Sequence, residues 1–386
     1  MSAATSDGDP SSSIHTLSLS HPTGVTPILA GVGALAAASP RLAEWLAGRT
    51  TFLVSSPRVL DLHGEALAPL VPHAARWVVL TVAEGEEAKT VGTAERLWNE
   101  MLARGGKRDS RLVAFGGGSV GDLAGFTAGC FLRGIEWVQL PTTLLAQVDA
   151  SIGGKTVVDL PGGKNTVGLF HHPQVVVAET AFLATLPVEE LRSGLVEVVK
   201  KAALLDPPLL ARVEDTLPEL LAGDSRALAA VVAAAAAAKI AVVERDPTEH
   251  GDRRLLNFGH TLGHAIESAA GYTGLRHGEA VAYGILFALR LALRRGLDPG
   301  FATRLAALLV RFGLPPLPPL DPDDLRQRMA RDKKALESGL AWVLPVRLGE
   351  GRVVAGIEWS EVMAELGPFL REPFYNPAIK APRSLV

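Results

Sequence analysis

The sequence is poor in cysteine, in net charge and in long apolar segments. Its 386 residues include one cysteine, Cys130, which excludes an internal disulfide and any zinc site built from several cysteines. A net charge of −3 excludes the broad basic surface that nucleic-acid binding requires. The longest apolar segment, residues 227–243, is mostly alanine, contains Lys239 and is shorter than the ~20 residues of a membrane span. We therefore expect neither nucleic acid nor membrane as a partner.

The remaining composition is that of a globular protein with two domains. Hydrophobic residues make up 48% of the chain and charged residues 20%, and the length suits two hydrophobic cores. Residues 1–15 have neither a basic start nor an apolar centre, so we predict a disordered tail there and no signal peptide. The single cysteine fits a reducing compartment, and we expect a cytoplasmic location.

The order of apolar and polar segments predicts an α/β fold. Short apolar segments typical of buried strands occur at residues 51–55, 77–82, 111–115 and 135–140. They alternate with amphipathic segments, a pattern that indicates βαβ units and a mostly parallel sheet. From Pro187 onward, long segments rich in alanine and leucine predict helices. We predict a Rossmann-like nucleotide-binding domain at residues 16–180 and an all-α metal-binding domain at residues 181–386.

A glycine-rich turn at residues 115–122 (FGGGSVGD) lies between a predicted strand and helix. Gly116, Gly118 and Gly121 match the G-x-G-x-x-G pattern, in which glycine allows a pyrophosphate to approach the backbone at a helix N-terminus. The acidic residue expected at the end of the second strand is absent, because Glu136 begins its strand. We predict a nucleotide-binding turn of another design that uses Asp122; the alternative is a tight turn with Asp122 near a helix start.

A denser group of polar residues follows at residues 141–165 (PTTLLAQVDASIGGKTVVDLPGGKN). It contains Thr142, Thr143, Asp149, Lys155, Lys164 and Asn165. The segment has little amphipathic period and follows a strand, so it belongs to the ligand-binding edge of the sheet. The two lysines are suited to hold a phosphate, and Asp149 is suited to move a proton.

Residues 257–281 contain three histidines. His260 and His264 are one helical turn apart and share a face, and Glu267 follows on that face. His277 opens the next helical segment after a glycine-bounded break, so a helix–loop–helix returns it to the same face. Imidazole groups at this spacing predict a divalent metal site.

A further ligand is available from an apolar helix at residues 194–200 (GLVEVVK). A buried carboxylate needs an ionic partner or a metal, so Glu197 with His260 and His277 forms a Glu/His/His set. The alternative is an ordinary surface pair between Glu197 and Lys200. Arg253 and Asn257, predicted one helical turn apart, are suited to an anionic substrate, although a Glu249–Arg253 pair is the alternative. Lys333 and Lys334 precede a predicted hairpin.

Several of these segments together resemble one known family. GGGSVGDLAGF, RGIEWVQLPTTLLAQVDASIGGKT, GKNTVGLFHHP, FLATLP, GLVEVVK, RRLLNFGHTLGHAIE, RHGEAVA and RDKKALESGLAWVLP are similar to successive blocks of the 3-dehydroquinate synthase family, within the sugar phosphate cyclase superfamily. The resemblance covers roughly residues 85–345. It implies a carbon–oxygen lyase that uses NAD and Zn²⁺ or Co²⁺ and belongs to the shikimate pathway of aromatic amino-acid biosynthesis.

The implied reaction converts 3-deoxy-D-arabino-heptulosonate 7-phosphate to 3-dehydroquinate and phosphate. The resemblance implies transient oxidation by NAD, β-elimination of phosphate, re-reduction and an intramolecular aldol closure. It also implies a homodimer in which Arg133 enters the neighbouring subunit's site.

The resemblance assigns a role to individual residues. The implied metal ligands are Glu197, His260 and His277. The implied catalytic residues are Asp149, Lys155, Lys200, Asn257 and His264. The implied substrate contacts are Arg133, Asn165, Lys239, Arg253 and Lys333. The implied cofactor contacts are Glu86, Lys89, Gly117, Gly118, Asp122, Thr142, Thr143, Lys155, Lys164, Phe182 and Thr185.

Two positions depart from the family pattern, and other activities remain as alternatives. Ser56 replaces a common acidic residue near the predicted ribose contact, and Asp159 replaces a frequent Asn. A cyclase of the amino-dehydroquinate or valiolone type shares most blocks. A metal-dependent polyol dehydrogenase shares the glycine turn but has no need of the lysine-rich segment.

Overall fold

The computed structural model describes residues 14–271, 274–332 and 340–373, and it divides into two compact units. Unit 1 comprises the chain up to Leu191 together with Pro218–Pro247, and unit 2 comprises Arg192–Leu217 together with the chain from Thr248 onward. The strands are β1 (Ile14–His21), β2 (Gly24–Gly31), β3 (Thr50–Ser55), β4 (Arg76–Thr81), β5 (Arg111–Gly116), β6 (Glu136–Pro141), β7 (Lys155–Leu160), β8 (Gly163–Phe170), β9 (Val176–Glu179), β10 (Ala341–Arg347) and β11 (Glu350–Ala355). The helices are α1 (Ala34–Leu46), α2 (Pro57–His63), α3 (Val91–Ala103), α4 (Gly118–Cys130), α5 (Val188–Leu205), α6 (Pro207–Asp215), α7 (Leu217–Leu221), α8 (Ser225–Arg245), α9 (His260–Ala269), α10 (His277–Leu293), α11 (Pro299–Arg311), α12 (Pro322–Asp332) and α13 (Trp359–Arg371).

Unit 1 is built on a seven-stranded sheet in the order β1-β2-β9-β6-β5-β3-β4. Its strand pairs are parallel except β1–β2, which is antiparallel, so the predicted mostly parallel sheet is confirmed. From β3 the chain first adds β4 on one side and later β5 and β6 on the other. The topological switch point therefore lies between β3 and β5, where ligands bind in such sheets.

Helices cover both faces of this sheet because successive strand residues point to opposite sides. Phe52 and Leu112 pack with residues of α3 and α4, whereas their chain neighbours Leu53 and Val113 pack with residues of α1. This arrangement explains why the strands appear in the sequence as continuous apolar segments. The packing of helices on both faces also sets the positions of the strand ends, from which the loops of the candidate site begin.

Helix α8 belongs by its contacts to unit 1, although it lies within the predicted domain of residues 181–386. Ala236 and Ile240 pack against Leu19 and Ile28 of the β1–β2 pair. Within the described residues, α8 is long and apolar enough to cross a membrane, but 61% of its apolar segment is buried inside the protein. The packing accounts for the hydrophobicity of α8 as a core helix.

Strand β1 begins within the predicted disordered tail of residues 1–15, because Ile14 and His15 are its first two residues.

Unit 2 is helical, as predicted, with one addition to the expected all-α domain. Strands β10 and β11 form an antiparallel hairpin, which was predicted to follow Lys334. Helix α10 is buried over most of its length, and its Phe287 packs against Trp342 of the hairpin and Phe369 of α13. A helix that is apolar on all sides is expected at the centre of such a unit.

Glycines allow α9 and α10 to approach closely. A Cβ atom on Gly263 would lie 3.1 Å from the Cα of Val281, and one on Gly284 would overlap the carbonyl oxygen of Gly259. Gly259 precedes α9 in the left-handed conformation, with φ of 82°, a region that glycine adopts without strain. The contact brings the first turns of both helices, and hence their histidines, together.

Candidate metal centre and nucleotide site

Three helices of unit 2 bring Glu197, His260 and His277 together. Glu197 lies in α5, whereas His260 and His277 are the first residues of α9 and α10. The Glu197 Oε1 atom lies 3.8 Å from His260 Nε2 and 3.6 Å from His277 Nε2. One ligand atom from each side chain lies within 4.8 Å of the others. A carboxylate oxygen and two imidazole nitrogens at this spacing fit the donor set of a divalent ion such as Zn²⁺ or Co²⁺.

Two lysines of α5 accompany the buried carboxylate. Glu197 is 1% exposed and forms an ion pair with Lys200. The Lys201 ammonium lies 3.7 Å from Glu197 Oε2 and donates a hydrogen bond to the Glu197 backbone carbonyl at 3.1 Å. The alternative of an ordinary surface pair is therefore wrong, because both Glu197 and Lys200 are buried. Lys201 is absent from the predicted site, although two adjacent lysines in an apolar helix (VEVVKKAALL) are themselves a signal of buried charge.

The surroundings of the two histidines change their pKa values in opposite directions. Burial and the nearby Lys200 charge lower the pKa of His260 well below its usual value. Burial acts in the same direction on His277, but hydrogen bonds to Glu197 and Glu267 outweigh it and raise the pKa of His277 to about 10. His277 thus lies between two carboxylates, in a position that attracts a positive charge.

His264 and Glu267 lie beside this centre. The His264 ring is 5.1 Å from the His260 ring and 6.1 Å from the His277 ring, measured between centroids. Glu267 Oε2 accepts a hydrogen bond from His277 Nδ1 at 3.1 Å. His264, Glu267 and His277 form a second group with metal-ligand spacing that shares His277 with the first. Sequence reasoning noted Glu267 on the histidine face but gave it no role.

The predicted anion-binding residues of unit 2 lie just before α9. Arg253 and Asn257 belong to a 3-10 turn, Asp252–Asn257, and not to an α-helical turn as expected. Arg253 is 3% exposed, and the Asn257 amide donates to Glu249 Oε1 at 2.9 Å. The predicted substrate contact Lys333 lies outside the described residues.

In unit 1, the glycine-rich turn connects β5 to α4 at the switch point. Gly117 is the N-cap of α4 and Gly118 its first residue. A Cβ on Gly117 would lie 3.1 Å from the side chain of Thr143, and one on Gly118 would lie 3.2 Å from the Ala150 Cβ. The turn therefore presents backbone and a helix N-terminus beside Thr142 and Thr143, as nucleotide binding requires.

Lys89 is the centre of a polar cluster in unit 1. It is 3% exposed, and its ammonium lies 2.7 Å from Asp122 Oδ2, 3.8 Å from Glu86 Oε2 and 2.5 Å from Asn165 Oδ1. Burial raises the pKa of Asp122 to about 6 despite the opposing Lys89 charge. Desolvation acts to lower the pKa of Lys89, but Asp122 and Glu86 outweigh it and raise that pKa. Ser119, which sequence reasoning missed, donates to Glu86 Oε1 at 2.8 Å.

The β7–β8 hairpin carries the predicted lysines and Asn165. Lys155 is exposed and Lys164 half-buried. Burial acts to raise the pKa of Glu86, but the Lys89 charge, a hydrogen bond from Ser119 and the Lys164 charge outweigh it and lower that pKa. Asn165 has φ of 55°, and its backbone N–H donates to Asp159 Oδ1 at 2.6 Å. The resemblance placed Asn165 with the substrate and Lys89 with the cofactor. Their hydrogen bond makes them neighbours.

Asp149 and Lys239 form a second polar pair in unit 1. Asp149 lies in a π-helical turn, Ala146–Ala150, a rare geometry that recurs at functional sites. The Lys239 ammonium donates to the Asp149 carbonyl at 2.6 Å and lies 3.2 Å from Asp149 Oδ1. Lys239 is thereby held at the same strand-end region as Thr142 and Thr143.

The remaining predicted residues of unit 1 occupy separate positions. Phe182 is buried against Phe115, and the Thr185 hydroxyl lies 2.8 Å from His63 Nε2. Arg133 is exposed and has φ of 69°. The Ser56 hydroxyl accepts from the Val59 N–H at 3.4 Å and caps α2, which gives this departure from the family pattern a local structural role.

Comparison with known proteins gives consistent matches over most of the chain. Residues 79–193 match the family described as 3-dehydroquinate synthase N-terminal, and residues 194–335 match 3-dehydroquinate synthase C-terminal. The chain is 44% identical over 334 residues to a 3-dehydroquinate synthase of Xylella fastidiosa (strain M23), covering 84% of this chain and 90% of the relative.

Two solved structures are also similar. One is a 2-epi-5-epi-valiolone synthase from Streptomyces hygroscopicus subsp. jinggangensis 5008 with NAD⁺ and Zn²⁺ bound, with 30% identity, a TM-score of 0.82, and coverage of 90% of this chain and 97% of the other. The other is a 2-deoxy-scyllo-inosose synthase complexed with carbaglucose-6-phosphate, NAD⁺ and Co²⁺, with 27% identity, a TM-score of 0.82, and coverage of 93% and 100%.

Proposed function

The chain belongs to the 3-dehydroquinate synthase family, and we propose that it catalyses the family's reaction with NAD and Zn²⁺ or Co²⁺. The substrate is 3-deoxy-D-arabino-heptulosonate 7-phosphate, and the products are 3-dehydroquinate and phosphate. The observation that carries this assignment is the Glu197–His260–His277 group in a chain 44% identical to 3-dehydroquinate synthases. Structural neighbours with bound NAD⁺ and Zn²⁺ or Co²⁺ support the same cofactors.

Each cofactor has a defined group of residues to hold it. Glu197, His260 and His277 would hold the metal, which supplies Lewis acidity to a substrate hydroxyl when bound. Lys89, Asp122, Gly117 and Gly118 would contact NAD, which supplies reversible hydride acceptance when bound. Because the overall reaction has no net oxidation, NAD is regenerated in each turnover.

The chain's own side chains bind the two anionic ends of the substrate. We assign the carboxylate to Lys239 and Arg253, since a buried guanidinium suits bidentate recognition of a carboxylate. We assign the phosphate to Lys155, Asn165, Asn257, His264 and Lys333. Asp149 accepts and returns a proton at a substrate hydroxyl, and the Lys239 ammonium lies 3.2 Å from its Oδ1 atom. Lys200 is held by Glu197 and orients a neighbouring hydroxyl.

The assembly belongs to the same proposal. We expect a homodimer in which Arg133 completes the neighbouring subunit's phosphate pocket. Its exposed position and left-handed backbone support this role, because strained non-glycine residues persist where a function requires them. A cytoplasmic location fits this biosynthetic activity.

Phosphate release tests the function directly. Protein loaded with NAD and Zn²⁺ or Co²⁺ is expected to release phosphate from the heptulosonate phosphate without net NADH absorbance. A seven-carbon sugar phosphate that lacks the carboxylate serves as the comparison substrate and should release none. Turnover of the comparison substrate alone would assign a valiolone-type activity, and net NADH accumulation with a polyol would assign a dehydrogenase.

A further inference from the structure

His277 is shared by two overlapping groups of metal-ligating side chains. Through Nε2 it faces Glu197 Oε1 at 3.6 Å, in the group with His260. Through Nδ1 it faces Glu267 Oε2 at 3.1 Å, in the group with His264. A neutral imidazole carries one N–H and one lone pair, so only one of its nitrogens serves as a metal ligand while the other donates a hydrogen bond. The groups are therefore alternatives unless the ring loses both protons.

The backbone of His277 is fixed independently of its ring. The Arg276 N–H donates to Glu279 Oε2 at 2.8 Å, and the Gly278 N–H donates to Ser193 Oγ at 2.9 Å. A Cβ on Gly278 would overlap the backbone of Ser193, so this start of α10 is packed directly on α5. With the backbone held, ring rotation and choice of tautomer are the freedoms that remain to His277.

Glu267 removes these remaining freedoms. It lies on α9, the helix that begins with His260, and is 7% exposed. A hydrogen bond from an imidazole N–H to a buried carboxylate is charge-assisted and strongly directional. With Nδ1–H directed at Glu267, the Nε2 lone pair points towards Glu197 and His260.

We propose that Glu267 is a positioning residue that orients His277 and selects Nε2 as the metal ligand, so that the two overlapping groups form one metal site. This inference rests on the proposed function only in taking Glu197, His260 and His277 as the metal ligands. Glu267 itself stays off the metal. Carboxylates that accept from the second nitrogen of a metal-bound histidine commonly contribute about 10–100-fold to metal affinity.

Cobalt titration of the metal-stripped protein tests the proposal. The wild-type chain, Glu267→Gln and Glu267→Ala are titrated with Co²⁺ while the visible absorption spectrum is recorded. We expect one Co²⁺ per wild-type chain, about 10–100-fold weaker binding in Glu267→Ala, and a smaller loss in Glu267→Gln, because the amide oxygen still accepts the hydrogen bond. Both variants should change the cobalt spectrum, which a purely structural role would leave unaltered.

His264→Ala is the matched control, because it lies on the same helix and belongs to the alternative group. It should retain wild-type cobalt affinity and spectrum. Wild-type affinity and spectrum in either Glu267 variant would overturn the proposal, so Glu267→Gln decides the matter if Glu267→Ala does not fold. Two Co²⁺ per wild-type chain, reduced to one in Glu267→Ala and His264→Ala, would instead make Glu267 a ligand. These outcomes are independent of phosphate release, which tests the function itself.

Discussion

The two units each bury an ionisable side chain at their centre, but they balance its charge in different ways. In unit 1, Lys89 contacts Asp122 of α4, Asn165 of the β8 strand and Glu86 of a 3-10 turn. In unit 2, Glu197 is approached by Lys200 of its own helix and by histidines at the starts of two others. The first cluster combines residues of a helix, a strand and loops, whereas the second is assembled from helices only.

This difference has a chemical consequence. Lys89 meets the carboxylates of Asp122 and Glu86, so the cluster in unit 1 contains charges of both signs. Glu197 and the two imidazoles face one point in unit 2, and such a donor set is completed by a cation. Unit 1 therefore contains a polar network that includes its own counter-charges, whereas unit 2 contains a group of side chains with metal-ligand spacing.

Removal of the central charge in unit 1 should have the largest effect on stability. Lys89→Met leaves Asp122 without its nearest cation, and loss of one partner of a buried pair costs about 3–5 kcal/mol. Urea unfolding of the metal-free protein measures this difference. Lys107→Met, at an exposed position of the same unit, should remain within about 0.5 kcal/mol of wild type. Equal effects of the two substitutions would show that the Lys89 network is not a buried ion pair in solution.

Disturbing the helix contact in unit 2 should have a somewhat smaller effect on stability but should also weaken metal binding. Gly284→Ala forces a methyl group against the Gly259 carbonyl, and overpacking of this kind costs about 1–3 kcal/mol. Because His260 follows Gly259, the displacement moves one metal ligand. Gly162→Ala is the control, since its Cβ would meet nothing within 4 Å. Unchanged cobalt affinity in Gly284→Ala would show that the contact between α9 and α10 does not position the proposed metal ligands.

The pH dependence of stability should reveal the smallest effect. Asp122 has a pKa of about 6 in the folded chain against an ordinary value of 3.8, so the folded state binds this proton more tightly than the unfolded state. Its contribution to stability is therefore full below about pH 4 and is lost as the pH rises through about 6.

We expect the wild-type free energy of unfolding to fall by about 2 kcal/mol more than that of Asp122→Asn between about pH 4 and about pH 7. Urea unfolding at a series of pH values gives both curves. Parallel curves would mean that Asp122 titrates alike in the folded and unfolded chains, and that unit 1 does not hold a desolvated carboxylate.

The difference between the two units also explains which contacts could be predicted from the sequence. In unit 2, helical spacing placed His260, His264 and Glu267 on one face, and the apolar surroundings of Glu197 indicated a buried carboxylate. Both inferences depend on residues within one short helical segment, which a sequence displays directly. The hairpin after Lys334 was also predicted, although β10 begins with five consecutive buried residues and has no alternating pattern.

Unit 1 was less predictable at the level of contacts. The strands were located, but the hydrogen bond between Lys89 and Asn165 joins residues that are 76 positions apart. Such a contact depends on strand order and hairpin geometry, and the β1–β2 pair that supports α8 gives no local signal of its position. The pairing of Asp149 with Lys239 likewise depends on α8 belonging to unit 1. The tertiary position of a loop, unlike the spacing of residues along a helix, cannot be inferred from any short segment of the sequence.

Metal content tests the division of roles between His260 and His264 most directly, because these two histidines of one helix have different proposed tasks. Wild-type protein, His260→Ala and His264→Ala are loaded with Zn²⁺, dialysed against metal-free buffer and analysed for bound metal. Loss of a direct ligand should weaken binding by more than about 100-fold, since even an outer partner contributes about 10–100-fold. We predict that His260→Ala loses its metal while His264→Ala retains about one ion per chain, as wild type does. Equal loss in both variants, or retention in His260→Ala, would contradict the account.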